Sequence, residues 1–250
     1  MPRKIVVANW KMHGNLATNQ QLLQAYLDRL STLKNVEVIV CVPYPYLAQV
    51  QGMLQHSPIA WGAQNLSKDT VGAYTGEVSA SMLKDFGATH AIIGHSERAT
   101  AYCESDENIA AKFMQAKSHG LTPILCVGET LIEREAGVME MVVAKQIDTI
   151  INLYGAAVFA NTIVSYEPIW AIGTGLAATP DQAQSMHEFI RHRIAVHNQE
   201  AAVSLKILYG GSVNPQNAVQ LFQMQDIDGG LIGRCSLSAQ EFEGICQAAS

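Results

Sequence analysis

The sequence places a carboxylate at the point where a buried strand should end. Residues 162–166 form a short run rich in β-branched residues, which predicts such a strand. Glu167 follows directly, and Pro168 ends the strand because proline cannot continue a sheet ladder. A carboxylate that is desolvated and held close to a C–H bond can act as a general base. Glu167 is therefore a candidate for proton transfer, although on its own it could equally be a surface carboxylate.

The next segment has the composition of a lid. Pro168 stiffens its start, whereas Gly173 and Gly175 loosen its far end. The residues between them are too apolar for an idle surface loop, and they include Trp170. We expect residues 168–178 to form a lid that is sometimes packed and sometimes open.

Eight short apolar runs, each followed by a helix-like segment, organise the chain. They cover residues 5–9, 36–42, 59–63, 90–94, 123–127, 162–167, 206–209 and 229–233. Most are continuously apolar, as expected for strands that are covered on both faces. No linker or low-complexity segment divides the chain, so the pattern predicts a single (β/α)8 barrel domain over residues 1–250. A doubly wound open sheet is the alternative, but no G-x-G-x-x-G follows the first strand to support it.

Capping residues mark the starts of the later helices. Ser79 and Ser105 are candidate N-caps, and Asn214 precedes a proline at a first helical position. Three pairs have capping-box spacing: Thr130 with Glu133, Thr179 with Gln182, and Ser238 with Glu241.

In such a barrel, function lies at the carboxyl ends of the strands. The residues predicted there are Asn9, Lys11, His95, Ser96, Glu97, Glu167, Ser212, Gly233 and Arg234. The first, fourth and sixth strands supply a cation, an imidazole and a carboxylate at their ends. The seventh and eighth end in glycine-containing turns, whose backbone N–H groups suit a phosphate. Each residue also has an ordinary structural interpretation, as a solvated lysine, a core histidine or a tight turn. Their convergence on one rim favours the functional interpretation.

Composition and charge exclude several classes of protein. The net charge is −6 and no run of Lys or Arg exceeds two residues, which argues against nucleic acid or an anionic membrane as partner. No apolar run approaches the roughly 20 residues that span a bilayer, and we expect no signal peptide. The five cysteines are scattered without a C-x-x-C pair, which indicates reduced thiols of a cytoplasmic protein and no metal site.

The strand-end motifs, taken in order, resemble those of the triosephosphate isomerase family. They are Asn9-Trp10-Lys11-Met12, Gly94-His95-Ser96-Glu97-Arg98, Cys126-Val127-Gly128-Glu129, the stretch 166–175, and Tyr209-Gly210-Gly211-Ser212-Val213. The resemblance extends from residue 4 to about residue 248. No single motif is specific, but their combination is.

The resemblance implies an activity and a role for each residue. The reaction would interconvert dihydroxyacetone phosphate and glyceraldehyde 3-phosphate through an enediolate, with no cofactor. Glu167 would move a proton between adjacent carbons, and His95 would be a neutral donor that polarises the carbonyl. Lys11 would stabilise negative charge on the substrate, with Asn9 at the same oxygen. Glu97 would orient this network, although an ordinary ion pair is an equally good interpretation.

The resemblance also implies a phosphate seat and a partner subunit. The backbone N–H groups of Gly173, Ser212, Gly233 and Arg234 would hold the phosphate. Residues 64–77 form a loop too long for a plain connection and resemble the loop through which members of the family form homodimers. Thr75 in this loop would reach the active site of the partner subunit.

The turn after the eighth strand departs from the family pattern. The family usually has Gly-Gly-Ala-Ser there, whereas this chain has Gly233-Arg234-Cys235-Ser236. If position 234 requires a positive φ, arginine is strained and its N–H is displaced. Alternatively, the guanidinium adds charge near the phosphate. Our hypothesis is that the backbone contact survives and Arg234 points to solvent.

Two other functions fit the same fold. The first is a different sugar-phosphate isomerase or a Schiff-base aldolase, but an aldolase needs a strand-end lysine with room for a carbonyl carbon. The sixth strand ends in Glu167 instead, and Lys11 lies beside Asn9 in an electrostatic setting. The second is a catalytically inactive barrel that binds a phosphometabolite. Such a protein is expected to have lost Lys11, His95 or Glu167, and all three are present.

Overall fold

Eight parallel strands close into a barrel in a computed structural model that describes residues 3–172 and 177–250. The strands pair in chain order, and the eighth returns to the first. They are β1 (Lys4–Asn9), β2 (Val36–Val42), β3 (Ala60–Ala63), β4 (His90–Ile93), β5 (Thr122–Val127), β6 (Ile163–Tyr166), β7 (Lys206–Tyr209) and β8 (Gly229–Ile232). The closed order confirms the (β/α)8 prediction and excludes the open sheet. No strand end differs from its predicted position by more than one residue.

Helices connect successive strands around the barrel. Within the described ranges they are α1 (Leu16–Leu30), α2 (Leu47–Leu54), α3 (Ala80–Asp85), α4 (Ser96–Tyr102), α5 (Asp106–Ser118), α6 (Leu131–Glu135), α7 (Met139–Tyr154), α8 (Pro180–Ala195), α9 (Gln199–Ser204), α10 (Pro215–Phe222) and α11 (Ala239–Ala248). Among the residues of these two ranges, no helix is both long and apolar enough to cross a membrane.

The strands are buried on both faces, as their continuous apolar runs predict. One buried cluster fills the barrel interior and includes Ile5, Val7 and Ile163. A second cluster between strands and helices includes the alternating neighbours Val6 and Ala8. Successive side chains of a strand point to opposite faces, so the inward series of β1 continues to Asn9 and that of β6 to Glu167. The strand period therefore directs both polar side chains toward the mouth of the barrel.

Most predicted caps form. The side chains of Ser79 and Ser105 accept the backbone N–H groups of Met82 and Asn108. Reciprocal capping boxes begin α6, α8 and α10, at Thr130, Thr179 and Asn214. The capping box predicted at Ser238 is wrong: Ser238 accepts the N–H of Glu241, but among the described residues the glutamate side chain does not return the bond. The helix keeps an ordinary N-cap.

Candidate active site

Lys11 is held at the end of β1 by its own backbone. Its φ of 53° lies in the left-handed region, which is uncommon for a residue with a side chain. Two contacts fix this conformation: the N–H of Lys11 donates to Asn9 Oδ1 at 3.0 Å, and Gln64 Nε2 donates to the carbonyl oxygen of Lys11 at 3.0 Å. Backbone strain that the surroundings maintain is often found at functional sites.

The Lys11 ammonium is paired with Glu97. Lys11 Nζ lies 2.5 Å from Glu97 Oε1. Burial disfavours the charged form of Glu97, but the hydrogen bond and the charge of Lys11 outweigh it and lower the pKa of the carboxyl. Glu97 thus forms an ion pair, and its partner is itself a candidate catalytic residue. The ion pair and the orienting role considered for Glu97 would thus both act through its contact with Lys11.

The backbone at the start of α4 fixes the tautomer of His95. His95 is the N-cap of this helix, and its Nδ1 accepts the N–H of Glu97 at 3.2 Å. Only an unprotonated ring nitrogen can accept a hydrogen bond, so the ring is neutral in this arrangement and its proton is assigned to Nε2. Nε2 lies 3.4 Å from Glu167 Oε1. The imidazole therefore presents an N–H donor toward the carboxylate and the barrel mouth.

Glu167 follows β6 and is almost fully buried. Its Oε2 accepts the N–H of Ser96 at 3.0 Å, whereas its Oε1 has no hydrogen-bond partner in the described part of the chain. Burial, and next the charge of Glu167, raise the pKa of the neighbouring Cys126 thiol well above its ordinary value. Cys126 belongs to the interior apolar cluster and packs there as a neutral thiol.

Glycine is required beside Glu167 because the β7 turn approaches it closely. A Cβ on Gly210 would lie 2.8 Å from Glu167 Cγ and 2.5 Å from Ser165 Oγ. The Gly210 N–H also donates to the carbonyl oxygen of Tyr166 at 2.8 Å. A larger residue would displace the carboxylate or break this ladder bond.

One cavity of about 310 Å³ joins the ends of five strands. Its lining includes the sequence-predicted residues Asn9, Lys11, His95, Glu167, Ser212, Gly233 and Arg234. Ser96 and Glu97 contact Glu167 and Lys11 from α4, as described above. The fold thus brings together an ammonium, an imidazole and a carboxylate that are far apart in the sequence.

The turns after β7 and β8 form a further part of the cavity wall. Asn217 Nδ2 donates to the carbonyl oxygen of Ser212 at 3.0 Å and so fixes the first turn. Gly233 faces Lys11, because a Cβ there would lie 3.3 Å from Lys11 Cε. Arg234 begins a 3-10 turn, is exposed and does not have a positive φ. The strain considered for arginine at this position therefore does not arise. The predicted contact of Gly173 falls outside the described residues.

Both ends of the predicted lid are attached to the barrel. Trp170 Nε1 donates to Glu129 Oε1 at 2.9 Å, and Arg134 lies 4.8 Å above the Trp170 ring. On the other side of the undescribed residues, the Ala178 N–H donates to Tyr209 Oη at 3.1 Å. The central part of the lid, residues 173–176, lies outside the described ranges.

Thr75 does not join the residues that line the cavity of its own chain. It lies in an exposed part of the loop after β3, together with Val71 and Tyr74.

A second cavity of about 430 Å³ adjoins the first and reaches from Lys11 and His95 to Tyr102.

Two residues that support the site carried no recognisable role in the sequence. Gln64 Nε2 donates to the carbonyl oxygens of Lys11 and Cys41, at 3.0 and 3.1 Å. The strand period predicts that Gln64 faces inward, because residues 60, 62 and 64 lie on one face of the chain at β3. Glu129 is fully buried, and its Oε1 accepts from Tyr166, Trp170 and Arg134. The spacing of residues near Glu129 in the sequence does not predict these three contacts.

The fold and its rim define an acid–base enzyme built on a (β/α)8 barrel. A family model described as triosephosphate isomerase matches residues 4–249. The chain is 56% identical to the triosephosphate isomerase of Thiobacillus denitrificans over 250 residues, covering 100% of both proteins. It is 55% identical to that of Nitrosomonas eutropha over 244 residues, covering 98% of this chain and 97% of the relative. This chain belongs to the triosephosphate isomerase family.

Proposed function

We propose that the protein interconverts dihydroxyacetone phosphate and D-glyceraldehyde 3-phosphate, a step of glycolysis and gluconeogenesis. The observation that supports this most is the single cavity shared by Lys11, His95 and Glu167. Proton transfer between neighbouring carbons needs a base, a donor to the carbonyl oxygen and a positive charge near the enediolate. These three side chains supply one each. The reaction requires no cofactor.

Glu167 acts as the base in this proposal. It removes a proton from the carbon next to the carbonyl, and the electron pair of the broken C–H bond forms the enediolate. The same carboxyl group then returns the proton to the adjacent carbon. Oε1 is suited to this transfer because its lone pairs accept no hydrogen bond within the described residues, while Oε2 is held by the Ser96 N–H. Burial removes water that would otherwise stabilise the carboxylate.

His95 and Lys11 stabilise the charge that develops on oxygen. The Nε2–H of His95 donates to the carbonyl oxygen and moves protons between the two oxygens of the enediolate. The hydrogen bond from the Glu97 N–H supports this assignment, because it reserves Nδ1 as an acceptor. Lys11 places its ammonium at the same oxygens, and Asn9 fixes the Lys11 backbone. Glu97 and Ser96 act as supporting residues through Lys11 and Glu167.

The phosphate is bound by the backbone N–H groups of Gly173, Ser212, Gly233 and Arg234, beneath a lid of residues 168–178. Successive N–H groups in turns form a concave anion seat. The Arg234 contact is compatible with its φ, and its exposed side chain remains in solvent. A phosphate-bound crystal structure is expected to show the Arg234 N–H directed at the anion. An N–H turned away from the phosphate would contradict this assignment.

We propose that the protein forms a homodimer in which Thr75 of one subunit enters the site of the other. Exposed apolar residues support an interface: Met12 is 94% exposed beside the second cavity, and Val71 is 86% exposed in the long loop. Sedimentation velocity is expected to give twice the 27.1 kDa chain mass, and Thr75→Arg is expected to shift the protein toward monomer and lower kcat. A fully active monomer would disprove the dimer.

A coupled assay tests the proposed reaction directly. Purified protein and glyceraldehyde 3-phosphate are combined with an enzyme that reduces dihydroxyacetone phosphate and consumes NADH. Rapid loss of NADH absorbance is expected, without added metal. Binding of the substrate without turnover would instead support the inactive barrel.

We also propose a cytoplasmic location, because all five cysteines are free thiols. We further propose that residues 1–250 act as one domain.

A further inference from the structure

A glutamine outside the barrel wall holds the backbone beside the catalytic carboxylate. Gln146 lies in α7, and its side-chain amide makes two hydrogen bonds to one residue, Gly128. The Gly128 N–H donates to Gln146 Oε1 at 2.9 Å, and Gln146 Nε2 donates to the Gly128 carbonyl oxygen at 3.1 Å. Both backbone groups of Gly128 are therefore fixed by a single side chain.

Gly128 is in direct contact with the backbone of Glu167. A Cβ at position 128 would lie 1.8 Å from the Glu167 carbonyl oxygen, so only glycine fits. The residues on either side of Gly128 continue the β5–β6 pairing past the strand ends. The Glu167 N–H donates to the Val127 carbonyl oxygen at 2.7 Å, and the Ile169 N–H donates to the Glu129 carbonyl oxygen at 3.0 Å. The backbone of residues 127–129 therefore supports the backbone of residues 167–169, and Gly128 is the middle residue of this support.

A small cavity adjoins this support. A cavity of about 60 Å³ is lined by Gly128, Gln146 and Glu167, together with Ser96 and Ile169. Such a volume is large enough for water, and the polar groups of Ser96, Gln146 and Glu167 suit water. The Glu167 carboxylate accepts the Ser96 N–H at one oxygen, and His95 Nε2 lies 3.4 Å from the other. Its position also depends on its backbone, and that backbone rests on Gly128.

We propose that Gln146 is a positioning residue for Glu167, acting through Gly128. The amide keeps residues 127–129 in place, and they set the height and direction from which the carboxylate reaches the substrate. A small displacement is sufficient to matter, because misplacing a catalytic group by about 1 Å can reduce the rate by about 10²-fold. The inference rests on the proposed isomerase function and assigns no contact between Gln146 and substrate.

The test compares Gln146→Ala with wild type in the isomerase assay. We expect kcat to fall about tenfold, with KM and the affinity for inorganic phosphate within about twofold, because Ser212, Gly233 and Arg234 of the proposed phosphate seat follow β7 and β8, whereas Gly128 follows β5. With substrate deuterated at the reacting carbon, the isotope effect on kcat should increase, because proton transfer by Glu167 becomes slower. Asn152→Ala is the matched control, since it removes an exposed amide from the same helix.

Gln146→Glu gives a second test with the shape of the side chain preserved. An ionised carboxylate accepts the Gly128 N–H but cannot donate to the Gly128 carbonyl oxygen, whereas a protonated one restores both bonds. The kcat of this variant, divided by that of wild type at the same pH, should rise as the pH falls. A wild-type kcat and isotope effect in both folded variants would overturn the inference. Inactive wild-type protein would instead disprove the proposed function.

Discussion

Replacing Glu167 with glutamine is expected to lower kcat by at least about 10²-fold, the lower end for removal of a positioned acid–base group. This loss corresponds to about 2.7 kcal/mol of transition-state stabilisation. The amide keeps the size of the carboxyl group and an oxygen that can accept the Ser96 N–H, so the site should retain its shape. Because the amide cannot take up the proton, KM should change much less than kcat.

Steady-state kinetics in the coupled assay measure this effect, and NMR in D₂O gives an independent reading. Wild-type protein should exchange the reacting carbon-bound hydrogen with solvent, and Glu167→Gln should not. Glu188→Gln is the matched control, because Glu188 is an exposed carboxylate on α8 and does not line the cavity. If Glu167→Gln retains the wild-type rate, the base has been misassigned.

The second large effect is expected for Lys11→Met, which removes the ammonium but keeps an unbranched side chain. We expect kcat/KM to fall by about 10²- to 10³-fold, as for loss of one group that stabilises developing negative charge. Here KM should rise as well, because Lys11 faces a negatively charged substrate before the reaction begins. Lys84→Met on α3, outside the cavity, is the control.

The Lys11–Glu97 ion pair requires one further variant. Lys11→Met leaves Glu97 without the cation that lies 2.5 Å away. Its negative charge would then repel the substrate and exaggerate the loss. The double variant Lys11→Met, Glu97→Gln removes that repulsion. If the double variant recovered the full wild-type rate, Lys11 would serve only to neutralise Glu97; persistence of most of the loss is the expected result.

The strands, most of the caps and the rim could be predicted from the sequence because each depends on local chemistry. Continuous apolar runs indicated strands covered on both faces, and two buried clusters on either side of the barrel wall account for them. Proline at 168 located the end of β6, and with it Glu167. Thr179 and Asn214 located helix starts within a residue. These features involve residues a few positions apart.

Contacts between distant residues were beyond such analysis. Ser238 and Glu241 have the spacing of a capping box, yet only one of its two bonds forms in the described structure. Arg234, where the family pattern has glycine, begins a 3-10 turn without a positive φ, and this conformation depends on how the turn after β8 is packed and not on the residue alone. Gln64 and Gln146 are glutamines at unremarkable positions until the closed barrel places them against Lys11 and Gly128.

The amino-acid sequence by itself determined the order of strands and helices, the strand ends where chemistry is concentrated, and the family. Apolar periodicity and capping act over a few residues and therefore remain visible in one dimension. The tertiary structure alone decided that Lys11 pairs with Glu97, that Ser96 holds Glu167, and that a glutamine from α7 binds the backbone of Gly128. The two residues of these pairs are 86, 71 and 18 positions apart in the sequence, in that order. Closure of the barrel, which follows from many strand pairings at once, is what brings them within hydrogen-bonding distance.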